Sequence, residues 1–453
     1  MASPLTQTGV EQMRQEFYAD PKNRLAQNIC SRSDPIEACL TRKCLEERVH
    51  VFNTKVEAEG KPVTNQKNSG RCWIFAALNV MRQPFVKQFN LDDFEFSTAH
   101  LFFWDKLERI NFFLHNIVLT GRRGEEVTGR TVAFLLGNPT NDGGQWDMLV
   151  NLVNKYGLMP KKCFPETFSC ESSSRMNNIL KSKSREYTRT LRTSMAEGKT
   201  DEELETMIRE MMKEVYRIVG ICLGIPPQTF TWEYVDKTKQ VQKLGPISSV
   251  DFYNNHVKPL FNVDDKVCLV SDPRPSNPYG RSYSVDCLGN MVYGEPVVYN
   301  NQPIETLISL ARSSLLVGES VWFGCEVNKR YVAKQGYLDT QAHDYELVFG
   351  VDVQLGLSKD DRLIYRDSLM THAMVLTGCH IEEDGEVSRW RVENSWGDER
   401  GDKGYLLMSS DWFKEFVFEI VVDKKHVPAE VLQVESMEPI VLPAWDPLGS
   451  LAH

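Results

Sequence analysis

Asn65-Gln66-Lys67-Asn68-Ser69-Gly70-Arg71-Cys72-Trp73-Ile74-Phe75 is the stretch on which the reading of this chain turns. A cysteine follows a polar, glycine-containing turn and opens an apolar helix. Ile74, Ala77, Leu78 and Met81 fall at i, i+3, i+4 and i+7, the helical period. Phe75, Ala76 and Val80 fill most of the other faces, which predicts a helix buried in a core. Cys72 then stands at the positive end of the helix dipole, with Arg71 adding charge beside it. Both effects favour the thiolate, the nucleophilic form. Free cysteines are otherwise mostly inert packing residues, so partners for Cys72 have to be found elsewhere in the chain.

The chain has 453 residues, 42% of them hydrophobic, enough for a large core or for two to three domains. Its formal net charge of -10 argues against non-specific binding to nucleic acid or to an anionic membrane. The eleven cysteines are scattered without a C-x-x-C pair, which points to reduced thiols rather than a disulfide framework or a zinc site. The N-terminus lacks the pattern of a signal peptide. No uninterrupted apolar run approaches the ~20 residues that span a bilayer. The expectation is a cytoplasmic protein without membrane contact.

Helical patterns dominate the first half and strand-like runs the second, which reads as α+β. Residues 1–60 form an N-terminal arm of two short helices, broken at Asp20-Pro21, with Asp34-Pro35 starting the second. Residues 61–168 form a helical lobe with Cys72, in which Ser97 caps a long aromatic-rich helix. Residues 169–300 read as an inserted helical subdomain, with Thr200 and Glu203 as a capping box and a polar, proline-rich second half. Residues 301–430 form a β-rich lobe, and 431–453 a C-terminal arm. The run Lys181, Lys183, Arg185, Arg189 and Arg192 reads first as a solvated helix face, and as a nucleic-acid contact only in a scaffold protein.

A cysteine nucleophile needs a base, and the base needs an orienting group. His372 precedes an apolar strand and is the better base; His343 is the alternative. Asn394, in Glu393-Asn394-Ser395-Trp396-Gly397, can accept from the imidazole, and Trp396 can shield that bond. The Gln66 side-chain amide and the Cys72 backbone N–H can form an oxyanion hole. Asn141, Gly143 and Gly144 allow a substrate close to the backbone, although a tight loop is the commoner reason for paired glycines.

Gln66 with Ser69-Gly70-Arg71-Cys72-Trp73, then His372-Ala373, then Asn394-Ser395-Trp396-Gly397, resembles the papain-like cysteine proteases, with the elements in the family's order. Ser69 stands where many members have a cysteine, and Thr371 where many have Asp or Asn. The Cys-to-His interval is about twice that of papain and the cathepsins, which the insertion accounts for. With Asn141-Asp142-Gly143-Gly144-Gln145-Trp146-Asp147, Met370-Thr371-His372-Ala373-Met374 and Pro443-Ala444-Trp445-Asp446-Pro447-Leu448-Gly449, the similarity narrows to the bleomycin hydrolase branch. That resemblance implies a two-lobed fold and a thiol aminopeptidase acting on peptides without metal or organic cofactor. It implies bleomycin deamidation as a side activity and assembly as a homohexamer. It also implies that the C-terminal arm enters the active-site cleft, where the carboxylate of His453, or of Ala452 after trimming, meets a substrate's amino group. Two other classes stand against it. A Cys-His acyltransferase would share the nucleophile but not the Gln66 spacing or Asn394-Ser395-Trp396. A nucleic-acid-binding ring scaffold would use the Lys181–Arg192 run, against the acidic total.

Overall fold

The computed structural model describes residues 2–57, 59–353 and 355–450, and it is α+β as the sequence predicts. The Cys72 helix, Cys72–Gln88, is buried on almost every face. The long helix Thr98–Arg122 packs beside it and starts at Ser97, whose Oγ accepts from His100 N at 3.1 Å. The helix Trp146–Tyr156 stops at Gly157, which takes a positive φ of 64° that an L side chain resists. Two helices of 23 residues each, Ser174–Ala196 and Asp201–Leu223, lie against Thr98–Arg122. The Thr200–Glu203 capping box is formed as read from the sequence. Each of the two buries one apolar stripe, Met176, Leu180 and Leu191 on the first and Leu204, Ile208, Val215 and Val219 on the second.

Helix gives way to sheet well before residue 300. The strands Lys266–Val270, Arg281–Val285 and Tyr299–Asn301 join the main sheet, where the sequence reading places the end of a helical insertion. Beside Lys266–Val270 come Val417–Asp423, Val321–Cys325, His372–Ile381, Val387–Glu393 and Tyr405–Ser409 in spatial order. Chain order and spatial order differ, and period-2 patterning alone does not reveal which distant strands pair. Alternation along the central strands divides two cores. Trp322, Ala373 and Val375 face the helices, whereas Phe323, Met374 and Leu376 face a second core with Leu310, Trp390 and Trp412. A further edge strand, Ile440–Leu442, runs parallel to Arg281–Val285 and delivers the last residues of the chain.

At the N-terminus the proline punctuation acts one element earlier than expected. Asp20 caps and Pro21 opens the second helix, Pro21–Cys30, while Asp34-Pro35 starts only the short turn Pro35–Ala38. Among the described residues, none in Gln7–Ala19 or Pro21–Cys30 is buried.

Glu419 sits in the sheet at 2% exposure, with the Cys268 thiol donating to its Oε1 at 2.7 Å. Burial, reinforced by the charge of Asp147, outweighs that bond and pushes its pKa up to about 8. A carboxyl raised on folding contributes stability that is lost as pH rises from the ordinary glutamate range through the folded value. The unfolding free energy from urea titration is therefore expected to fall between about pH 5 and 8, by up to about 1.4 kcal/mol per pH unit from this group. Glu419→Gln is expected to flatten that slope; an unchanged slope in the variant would remove Glu419 as its source.

Candidate active site

Cys72 is fully buried at the first turn of its helix. Burial is the largest influence on the thiol and pushes its pKa up to about 12, against the pull of backbone N–H groups of Ala373, Trp73 and Cys72 itself. The helix end acts in the expected direction, but desolvation outweighs it. Arg71 does not supply the expected help. Its guanidinium is buried, pairs with Glu166 at 2.8 Å and donates to Ser69 Oγ at 2.9 Å, so its charge is spent inside the lobe. The buried thiol therefore needs a base to receive its proton.

His372 opens its strand immediately before Ala373, whose N–H reaches the Cys72 sulfur. Its Nε2 lies 2.9 Å from Asn394 Oδ1, which also accepts from Ser395 N at 2.8 Å. Asn394 follows directly on the strand Val387–Glu393, antiparallel to the His372 strand, so hairpin register brings the two side chains together. The buried pair Arg82–Glu393 ties the end of that strand to the Cys72 helix. The Trp396 ring lies over the imidazole, with centroids 4.6 Å apart, and covers the His372–Asn394 bond. His343 lies elsewhere, stacked on Tyr345 near Arg330. Burial, then the charge of Arg330, pushes its pKa down to about 4.

Gln66 is fixed at both ends of its amide. Oε1 accepts from Ser395 Oγ at 2.7 Å and Nε2 donates to Ser69 O at 2.7 Å, which leaves the second N–H of Nε2 for another acceptor. Gln66 N also donates to Ser395 O, so the turn before Cys72 and the segment after Asn394 are bonded directly.

Asn141, Gly143 and Gly144 lie in the turn that leads into the helix Trp146–Tyr156. A Cβ on Gly144 would lie 2.5 Å from the Trp73 ring, so this glycine serves close packing on the indole. The Asn141 carbonyl accepts from buried Lys106 at 2.7 Å. Asn141 lines a cavity of about 510 Å³ with Phe112, Phe134, Arg366, Leu369 and the C-terminal arm.

That arm is anchored along its length. Arg130 stacks on Trp445 at 4.1 Å. Arg274 grips Asp446 through two bonds of 2.8 and 3.1 Å while also pairing with Asp272. Tyr299 donates to Leu448 O at 2.9 Å. Ser450 closes the sequence of contacts: its carbonyl accepts from Gln145 Nε2 at 2.7 Å and its Oγ donates to Met370 O at 2.9 Å. The arm thus bridges the Gly144 side and the His372 side. Ala452 and His453 lie outside the described residues. Sequence reading missed Asp142, Lys106, Gln145 and Arg274. Asp142 and Gln145 flank the paired glycines, so the motif held the signal, whereas Arg274 lies in the polar, proline-rich half of the expected insertion.

The Peptidase C1-like family model matches residues 4–449. Bleomycin hydrolase of Gallus gallus is 57% identical over 96% of both chains, and that of Homo sapiens 52% identical over 100% of both. The mitochondrial cysteine proteinase 1 of Saccharomyces cerevisiae is 38% identical over 100% of this chain and 94% of its own. The crystal structure of PepW from Lactobacillus rhamnosis superposes with a TM-score of 0.95 at 39% identity, covering 100% of both chains.

Proposed function

This chain belongs to the bleomycin hydrolase branch of the Peptidase C1-like family and is a papain-like cysteine peptidase, and from that premise we propose that it is an aminopeptidase removing residues from peptide N-termini. In this reading Cys72 Sγ attacks the scissile carbonyl while His372 takes the thiol proton. His372 then returns that proton to the departing amine, leaving a thioester on Cys72. Water, deprotonated by His372, attacks the thioester and releases the acid and the free thiol. Asn394 holds the imidazole tautomer. The Cys72 N–H and the free N–H of Gln66 stabilise the oxyanion. Release of ammonia from a carboxamide by the same steps is deamidation, which extends the reading to bleomycin.

The observation that carries the aminopeptidase reading is Ser450, clamped between Gln145 and Met370 just upstream of His372. A chain filling that groove leaves little room for substrate residues before the cleaved one. A terminal carboxylate beyond Ser450, on Ala452 or His453, would pair with the substrate's α-amino group. Cytoplasmic residence and a homohexamer belong to the same reading. The exposed Val10, Met13, Phe17 and Leu25 of the N-terminal helices support assembly, since these apolar side chains stay uncovered among the described residues.

The test is product analysis by mass spectrometry on a free-amine peptide and its N-acetylated twin. Stepwise loss of N-terminal residues from the first, with the second hydrolysed at least about 100-fold more slowly, is expected. Internal cleavage of both at similar rates would overturn the aminopeptidase reading while leaving the peptidase intact. Light scattering on the same sample is expected to give a particle about six times the mass of the chain.

A further inference from the structure

Four donors converge on one buried carboxylate beside the Cys72 turn. Asp142 Oδ1 accepts from Lys106 Nζ at 2.6 Å and from Asn177 Nδ2 at 2.7 Å. Its Oδ2 accepts from Ser173 Oγ and, at 3.3 Å, from the backbone N–H of Gly70. Lys106 is fully buried and Asp142 is 6% exposed. Burial opposes the aspartate's charge, but Lys106, Ser173 and Asn177 outweigh it and hold the carboxyl well below its usual range.

The Gly70 N–H belongs to the peptide group whose other end is Ser69 C=O. That carbonyl is the acceptor for Gln66 Nε2. One rigid, planar unit therefore has its N–H held by Asp142 and its C=O holding Gln66. Rotation of that plane would carry the carbonyl away from the Gln66 amide. We infer that Asp142, braced by Lys106, is a positioning residue that fixes the Ser69–Gly70 peptide and through it aims the Gln66 side chain at the substrate oxygen. The inference rests on Gln66 acting as oxyanion donor in the proposed function. It also gives the helical segment a task in the chemistry. Ser173 and Asn177 lie at and within the helix Ser174–Ala196, and Glu171 O accepts from Asn68 N at 2.9 Å, so this segment reaches the turn before Cys72 at two points.

The test is kcat and KM per active site, with sites counted by an irreversible thiol-directed epoxide, for wild type, Gln66→Ala, Asp142→Asn and the double variant. An asparagine accepts at one oxygen only, so two of the four donors would face its NH2 group. Gln66→Ala is expected to lower kcat by about 10²-fold with little change in KM, as for loss of one oxyanion donor. Asp142→Asn is expected to lower kcat about tenfold, and the double variant to match Gln66→Ala alone, because both act on one bond. Asp142→Glu keeps the charge opposite Lys106 but displaces the carboxylate from Gly70, and it replaces Asp142→Asn in the cycle if that variant does not fold. Additive losses, or fewer titratable sites with kcat per site unchanged, would reduce Asp142 to a structural residue. Full activity in Gln66→Ala would instead overturn the oxyanion assignment on which the inference stands.

Discussion

Replacing Cys72 with alanine is expected to abolish peptide hydrolysis, with kcat falling at least about 10⁴-fold, whereas Asn394→Ala is expected to leave measurable turnover. The alanine has no atom to form the thioester. Asn394 only orients His372, and Trp396 still covers the imidazole in its absence. The thiol itself is the sharper probe. With burial pushing its pKa up to about 12, an isolated Cys72 holds a negligible thiolate fraction at neutral pH. In the proposed mechanism its reactivity comes from proton transfer to His372. Iodoacetamide labelling of Cys72 at pH 7.5 is therefore expected to be fast in the wild type and at least about 10³-fold slower in His372→Ala. Equal labelling in the two proteins would mean that the helix end and the neighbouring N–H groups activate the sulfur unaided. His372 would then lose its place as the base.

Arg274→Met is expected to release the C-terminal arm and, on the proposed aminopeptidase reading, to shift the enzyme toward internal cleavage. Arg274 is 8% exposed and holds Asp446 in a two-bond pair while Asp272 holds Arg274. Removing one partner of such a pair costs about 3–5 kcal/mol, because the remaining carboxylates are left without their counter-charge. The arm can relieve that cost by leaving the groove. A shift of about 3 kcal/mol in docking raises the undocked population by more than about 100-fold. Hydrolysis of N-acetylated peptide relative to free-amine peptide should rise by a comparable factor, and deletion of residues 445–453 sets the upper limit. An unaltered ratio in the deletion variant would make the arm a bystander to specificity. An unaltered ratio in Arg274→Met alone would assign docking to Trp445, Leu448 and Ser450 instead.

The Cys72 helix, the His372 strand and Asn394 are legible because each announces itself locally. An apolar period of 3.6 follows a polar turn at Cys72, and a continuous apolar run follows His372. What stayed hidden depends on groups far apart in sequence. Nothing near Asp142 says that its carboxylate meets Lys106, Asn177 and Gly70. Nothing near Arg274 says that it waits for Asp446. The strands at 266–270, 281–285 and 299–301 fall in what the sequence reads as the polar, proline-rich half of an insertion, because their partners lie beyond residue 417 or are short, polar neighbours such as Tyr299-Asn300-Asn301. Two electrostatic effects near Cys72 depend on burial that the motif does not quantify: the helix end pulls on the thiol in the expected direction but desolvation outweighs it, and the charge of Arg71 is neutralised by Glu166.

The edge strand Ile440–Leu442 and the anchored run that follows bear on how the protein is handled at the bench. Ser450 already lies against Gln145 and Met370, so a purification tag fused after His453 follows closely in sequence on the anchored run. In the proposed reading such a fusion would replace the carboxylate that meets the substrate's amino group with an ordinary amide, and it would compete with docking of the arm. Specificity measured on a C-terminally tagged preparation would then describe the tag as much as the enzyme. The first helix, Gln7–Ala19, has no buried residue among those described, and an N-terminal tag there leaves the groove unaltered.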